Sequence, residues 1–327
     1  MNDSDDSSPP APAGSFLRSF SGPSGRGFVP DPFKSPEGLL CDAERGCLVV
    51  MDTGCHRVLA IHRLSLETMW QFGVTGTAGS AKKQLNEPRH AILCGRGDNA
   101  LLLVTDSANH RIVMLRAVDG TFAAAFGTRG SESGQFRQPT GIVLGEDGLV
   151  WIADTLNHRV QCFDISEGPK AWRFVRQFGQ TDVAGSGSDQ FNRPQHLAYD
   201  DGRLFVADSN NHRVQVLEAN SARTFVRTIG TGATGSKPGE FSSPHGILIS
   251  KGALYVTEAG NHRISVFRAD TLALIDVFAG IGVTPGLFLG VRGACVDEEA
   301  HEIFATDVNS DCAVSVFAMH TAAESQD

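Results

Sequence analysis

Short apolar runs recur along this chain, each bounded by glycine, aspartate or asparagine. Residues 141–178 show the pattern most clearly. Gly141 to Leu144 runs into a Glu-Asp-Gly turn ending at Gly148; Leu149 to Asp154 leads to a turn through Asn157; His158 to Phe163 and Phe174 to Phe178 follow. These are four short strands joined by turn chemistry. Runs such as LVWIA and RVQCF are apolar at consecutive positions instead of alternating, which a sheet requires when both of its faces are covered.

The unit repeats. MDTGCHRVLAI from Met51, TDSANHRIVML from Thr105, ADTLNHRVQCF from Ala153, ADSNNHRVQVL from Ala207 and TEAGNHRISVF from Thr257 superimpose almost without adjustment. Their acidic residues, Asp52, Asp106, Asp154, Asp208 and Glu258, lie 54, 48, 54 and 50 residues apart, and a further step of 49 reaches Asp307 in a degenerate sixth copy. A second marker keeps the same register: Phe33, Leu85, Phe136, Phe191 and Phe241 each stand three residues before a proline, and Phe288 stands three before Val291. Six four-stranded units, each hiding its neighbour's apolar faces, predict an all-β, six-bladed β-propeller.

The sixth unit has no outer strand of its own, since polar residues follow Phe317. SFLRSFSG, Ser15 to Gly22, resembles the outer strands RFVRQFG and TFVRTIG. The expectation is that this N-terminal strand joins the last blade and closes the ring, removing an exposed edge. The organisation read from these boundaries is a disordered acidic, Pro/Ser-rich leader over 1–15, a propeller over 16–320 and a disordered tail over 321–327. The blades fall at about 33–73, 85–127, 136–179, 191–230, 241–280 and 286–317 with 16–22.

Composition narrows the functional classes. Without the five acids of the two ends the chain has 28 basic against 32 acidic residues, and so lacks the general basic excess that drives nucleic-acid affinity. The seven cysteines contain no C-x-x-C pair, which removes zinc-finger and RING ligand sets and reads as buried, reduced thiols. No secretory signal and no apolar stretch of membrane-spanning length is found, so the expected setting is cytoplasmic, without membrane contact, and the expected state a monomer. No Ser-His-Asp arrangement, phosphate loop or dinucleotide fingerprint occurs in a suitable context.

The D-x-x-N-H-R-[VI] segments and G-x-F-x-x-P lead-ins resemble the NHL repeat over essentially residues 16–317. That resemblance implies a propeller acting as a protein-binding or RNA-binding module, as in tripartite-motif ubiquitin ligases, or as the peptidyl-α-hydroxyglycine amidating lyase. The residues favour a non-enzymatic scaffold that binds a protein or peptide partner. RNA binding or association with a ubiquitin ligase is the first alternative, and a metal-dependent lyase or hydrolase the second.

Five equivalent pairs, His56-Arg57, His110-Arg111, His158-Arg159, His212-Arg213 and His262-Arg263, cannot all form one catalytic site. They are expected to be structural: the acid accepts turn hydrogen bonds, the arginine forks onto oxygens, and the asparagine before each histidine takes the left-handed turn position. The places that differ between repeats are the candidates for ligand contact. At the start of the innermost strands these are Glu37, Arg89, Thr140, Gln195, His245 and Arg292, followed one residue later by His90 and His196, where the other four units have glycine. Arg89, Arg292 and the histidines facing Glu37 suit an acidic peptide or small anion. His90, His196 and His245 are the weak metal candidates. The lyase resemblance implies zinc on Pro-His segments, which only Pro244-His245 matches, and a one-residue shift is expected to turn His90 and His196 to the opposite strand face. Calcium, as in a six-bladed lactonase, would need more channel carboxylates than Glu37. No cofactor is expected.

Overall fold

The computed structural model describes residues 11–22, 32–168, 170–219, 225–309 and 313–320. The acidic start of the leader, the tail beyond His320 and Cys312 lie outside these residues. Six four-stranded antiparallel sheets stand around an axis. Their innermost strands are Gly38–Asp42, Pro88–Cys94, Pro139–Leu144, Pro194–Asp200, Pro244–Ser250 and Val291–Asp297, each packed against the next so that the sixth meets the first. In blade three the strands are Pro139–Leu144, Leu149–Asp154, Arg159–Asp164 and Arg173–Phe178 from the axis outward.

The core is divided into six apolar clusters, one per seam between blades. This explains the consecutive apolar positions, since each central strand contributes side chains to two seams. Trp151 is fully buried in the seam of blades three and four, its ring stacked on Phe178 with centroids 5.2 Å apart. The lead-in residues Phe33, Leu85, Phe136, Phe191, Phe241 and Phe288 each enter a different one of the six clusters, as plugs between neighbouring blades. Burying one such ring stabilises the fold by roughly 1.5–3 kcal/mol. In blades two, three and four the glycine that ends the outer strand makes room for this ring: a Cβ on Gly179, whose φ is +85°, would stand 2.8 Å from Phe191.

Ring closure takes place across the ends of the chain. Strand Phe16–Phe20 pairs antiparallel with Val314–Ala318, Phe16 opposite Phe317 and Phe20 opposite Val314, giving the sixth sheet its outer strand. Phe16 packs edge-on against Phe317 at 5.9 Å, and Arg18 forks onto the Glu302 carboxylate, with Nη2 2.7 Å from Oε2. The last described residues are tied to blade five as well, because the Tyr255 hydroxyl donates to the His320 carbonyl at 2.7 Å.

Candidate functional site

The repeated Asp–Asn–His–Arg segment forms the frame on which one propeller face is built. In blade three, Asp154 is fully buried at the end of its strand and a 3-10 turn, Thr155–Asn157, follows. Its Oδ1 accepts the Arg137 N–H of the lead-in at 2.7 Å, while Oδ2 accepts Asn157 Nδ2 at 2.7 Å and Arg159 Nε at 2.8 Å. Arg159 then donates through Nη2 to the carbonyls of Glu132 and Gln135, pinning the connection from blade two. These partners offset the burial that pushes the Asp154 carboxyl above its ordinary range. In blade one, which has Gly54-Cys55 in place of Asn, the Cys55 thiol supplies a hydrogen bond to Asp52.

The left-handed residue of each turn is the histidine, not the asparagine before it. His56, His110, His158, His212 and His262 have φ between 50° and 58°. In blades two to five the asparagine amide is drawn inward to the carboxylate, in blade one the Cys55 thiol takes that place, and the turn reverses at the next residue. In that conformation the imidazole reaches the following blade. Nδ1 of His56, His110, His158 and His212 accepts the N–H of Glu87, Gln138, Arg193 and Ser243, at 3.1–3.2 Å, in each case the residue before the lead-in proline. His262, whose successor blade has Val291 in place of that proline, leaves Nδ1 buried without a hydrogen-bond partner among the described residues.

This frame holds the starts of the innermost strands around the axis. Glu37, Arg89, Gln195, His245 and Arg292, together with Ser209, Asn210 and Ser243 from the surrounding turns, line a polar cavity of about 290 Å³ at the channel mouth. Thr140 is at the same level but turned into the wall, bonded to the Gln195 carbonyl at 2.6 Å. Arg89 is an ion-pair bridge, Nη1 lying 3.2 Å from Glu37 Oε2 and Nη2 3.1 Å from Glu87 Oε2. The contact with Glu37 is close but not aligned as a hydrogen bond. Glu37 Oε2, Arg89 Nε, Gln195 Oε1 and His245 Nδ1 are buried polar atoms without a hydrogen-bond partner among the described residues.

The next level closes the channel. The positions there read Gly38, His90, Gly141, His196, Gly246 and Gly293 around the ring, and the His90 and His196 rings meet with centroids 3.9 Å apart. Strand alternation had placed these histidines on the far face. The ladder is irregular between Pro88 and Ala91 and between Pro194 and Leu197, so simple alternation does not hold at the strand starts and both rings reach the axis. Elsewhere at this level the strands approach too closely for a side chain: a Cβ on Gly38 would lie 2.2 Å from the Arg89 carbonyl oxygen, and one on Gly293 equally near that of Glu37. His90 Nδ1 accepts the Ile142 N–H and His196 Nδ1 the Ile247 N–H, each at 3.3 Å, leaving the proton of each neutral ring on Nε2. Burial holds His90 well below the ordinary histidine range, with His196 beside it adding to the effect, and brings His196 down to about 4. Burial, then Arg292 and Arg89, keep His245 neutral too.

Beyond the imidazole pair the channel widens again into an apolar cavity of about 300 Å³, lined by Ile92, Val143, Leu248, Ile249, Cys41 and Cys295 among others. Among the described residues no three His, Cys, Asp or Glu side chains are grouped as metal ligands; His90 and His196 come together, but each has one ring nitrogen engaged by backbone. Arg129, Arg137 and Arg193 surround His110 and His158 on the seams of blades two to four, and Arg137 is paired with Asp182 at 2.8 Å. The repeat comparison could not point to Ser209, Asn210 and Ser243, which come from turns where small polar residues are ordinary; Ser209 and Ser243 even have identical counterparts in Ser107 and Ser35.

The comparisons agree with this architecture. The NHL repeat model matches residues 136–163, 191–217 and 241–267, the lead-in, the innermost strand and the two middle strands of blades three, four and five. Protein SUPPRESSOR OF QUENCHING 1, chloroplastic, of Arabidopsis thaliana is 26% identical over 61% of this chain and 21% of its own length. Protein brain tumor of Drosophila melanogaster is 34% identical over 32% of this chain and 10% of its own. The chain thus spans about a fifth or less of these curated relatives. Among solved structures, a gluconolactonase from Xanthomonas campestris superposes with a TM-score of 0.59 at 16% identity, covering 87% of this chain and 86% of that one, a likeness of fold. No described helix is long and apolar enough to cross a membrane. Three matched NHL repeats lie inside a ring of six four-stranded blades, so the chain is a six-bladed β-propeller carrying NHL-type repeats.

Proposed function

We propose that this propeller is a non-enzymatic binding platform that takes a protein partner on the face bearing the polar channel mouth. The observation that carries the reading is the form of the mouth: a polar cavity lined by Glu37, Arg89, Gln195, His245 and Arg292, with four buried polar atoms that have no hydrogen-bond partner among the described residues. Leaving such atoms unsatisfied is costly, and a ligand that satisfies them recovers that cost on binding. The surrounding rim adds groups suited to a polar interface. A second cavity of about 650 Å³, lined by Arg137, His158, Asp182, Arg193 and Asn210, shares Asn210 with the mouth and extends the surface over the seam of blades three and four. Interleaved carboxylates, Glu37, Glu87 and Asp182, favour a protein partner over a nucleic-acid backbone, which would meet them as like charges.

The test is affinity capture with the full chain, comparing wild type with Arg89→Glu/Arg292→Glu and with Lys170→Glu, a control away from the mouth. The expected result is loss of captured proteins in the mouth variant alone, with ribonuclease treatment making no difference. Should the double variant melt early, Arg292→Met replaces it. An unchanged set of captured proteins, or capture abolished by ribonuclease, overturns the reading.

A further inference from the structure

Among the residues of the mouth, Arg292 is the exception in charge bookkeeping. Arg89 has Glu37 and Glu87, and each repeated arginine has its own acid. Arg292 has neither a hydrogen bond nor an ion pair among the described residues, although it is more than half buried and lines the same cavity as Arg89. Burial pulls its guanidinium below the ordinary arginine range; Glu37 opposes that effect and Arg89 adds to it. A guanidinium partly withdrawn from water beside a second guanidinium gains from the arrival of an anion.

The other open groups define what that anion must carry. Gln195 Oε1 and Glu37 Oε2 are acceptors, so the ligand must bring a donor as well as a charge. Arg89 Nε is a donor near the anion, and a guanidinium fork matches a planar carboxylate with two parallel hydrogen bonds. Arg292 is the guanidinium of the mouth without a direct partner, and since Glu37 and Glu87 already balance Arg89 and Arg292 in sum, a single negative charge is the most the site accommodates. A phosphate dianion would exceed that charge next to Glu37 and Glu87.

We infer that the channel mouth binds a carboxylate bearing an N–H on its neighbouring carbon, with Arg292 holding the carboxylate and Glu37 and Gln195 receiving the N–H. Two sources supply that chemistry, the C-terminal end of a peptide chain and a free amino acid. The inference rests on the mouth being a ligand site, as proposed above, and gives its chemistry.

The experiment titrates the full chain with N-acetylglycine, glycine, N-acetylglycinamide and inorganic phosphate, following the His245 ring C–H resonances by NMR, assigned from the spectrum of His245→Gln. N-acetylglycine or glycine is expected to move these resonances saturably and at least tenfold more tightly than N-acetylglycinamide. The tighter of the two identifies the source: N-acetylglycine a chain end, glycine a free amino acid. Arg292→Met is expected to weaken binding tenfold or more. Arg292→Lys, which keeps the charge but loses the fork, is expected to weaken it several-fold and serves if the methionine variant does not fold. Equal binding of the amide, tighter binding of phosphate, or an Arg292→Met variant that binds as wild type overturns the inference. Absence of any response, with protein capture still lost in Arg292→Met, sinks the carboxylate assignment and leaves the platform standing. A saturable response with capture unchanged does the reverse.

Discussion

Ser265 donates its hydroxyl hydrogen to the buried carboxylate of Glu258, seven positions earlier on the neighbouring strand of blade five. In blades three and four the same two places hold Asp154 with Gln161 and Asp208 with Gln215, the amide reaching the carboxylate at 3.1 and 3.2 Å. The longer acid is matched by a shorter partner, so the distance between strands is kept. Glu258→Asp alone is expected to destabilise the protein by about 2–4 kcal/mol, because the carboxylate withdraws from Arg263 and Ser265. Ser265→Gln alone overpacks the site. The double variant, which rebuilds the blade-four arrangement, should recover much of the loss, with a coupling energy of roughly 1–3 kcal/mol in urea-melt cycles. Strict additivity of the two losses would contradict the size-matching argument.

Ring closure through the strand Phe16–Phe20 gives a second expectation. A chain lacking residues 1–22 keeps the main apolar clusters but removes Phe20 from the seam of blades six and one, exposes the edge of Val314–Ala318 and loses the Phe16–Phe317 contact and the Arg18–Glu302 pair. Its melting temperature should fall by about 5 °C or more, since each kcal/mol is worth a few degrees in a domain of this size and an exposed edge also invites association. Differential scanning calorimetry of the truncated and full chains decides it. Equal melting temperatures would mean that the strand merely decorates blade six.

The imidazole pair at the axis predicts a dependence on pH. The folded state holds His196 down to about 4, against an ordinary value near 6.5, so the native protein binds fewer protons than the unfolded chain between these limits. The associated stability is complete above about pH 6.5 and is lost as pH falls toward 4, on the order of 3 kcal/mol for this residue. In His196→Gln, whose amide can still accept the Ile247 N–H, the fall in urea midpoint between pH 7 and pH 4.5 should be visibly shallower than in wild type. Parallel curves for the two proteins would show that His196 is not held neutral by the fold.

The architecture was legible because each blade states it twice. The acid–His–Arg segment marks the turn between the two middle strands, and the Phe-x-x-Pro lead-in marks both the seam plug and the entry to the innermost strand; two markers in step leave little freedom for another topology. The latch was legible for the same reason, as SFLRSF carries the outer-strand pattern of blades three and four. At the axis the sequence was less informative. Its list of channel positions contains most of the mouth, yet it could not order them by depth, because strand alternation fails where the ladder is irregular between Pro88 and Ala91. Whether His90 and His196 meet depends on the absence of side chains at Gly38, Gly141, Gly246 and Gly293, a property of the ring as a whole. The left-handed histidines were missed on local propensity, which favours asparagine; the buried carboxylate claims that asparagine first.

The latch also orders events during synthesis. Strand Phe16–Phe20 leaves the ribosome before any blade exists, and its partner Val314–Ala318 comes among the last strands. A nascent chain can stack successive blades as they emerge, but the first strand stays unpaired until Val314–Ala318 has been made, with two phenylalanines available to chaperones or to other chains. The closing step is thus the joining of the propeller's first and last strands, and only products that include both can make it.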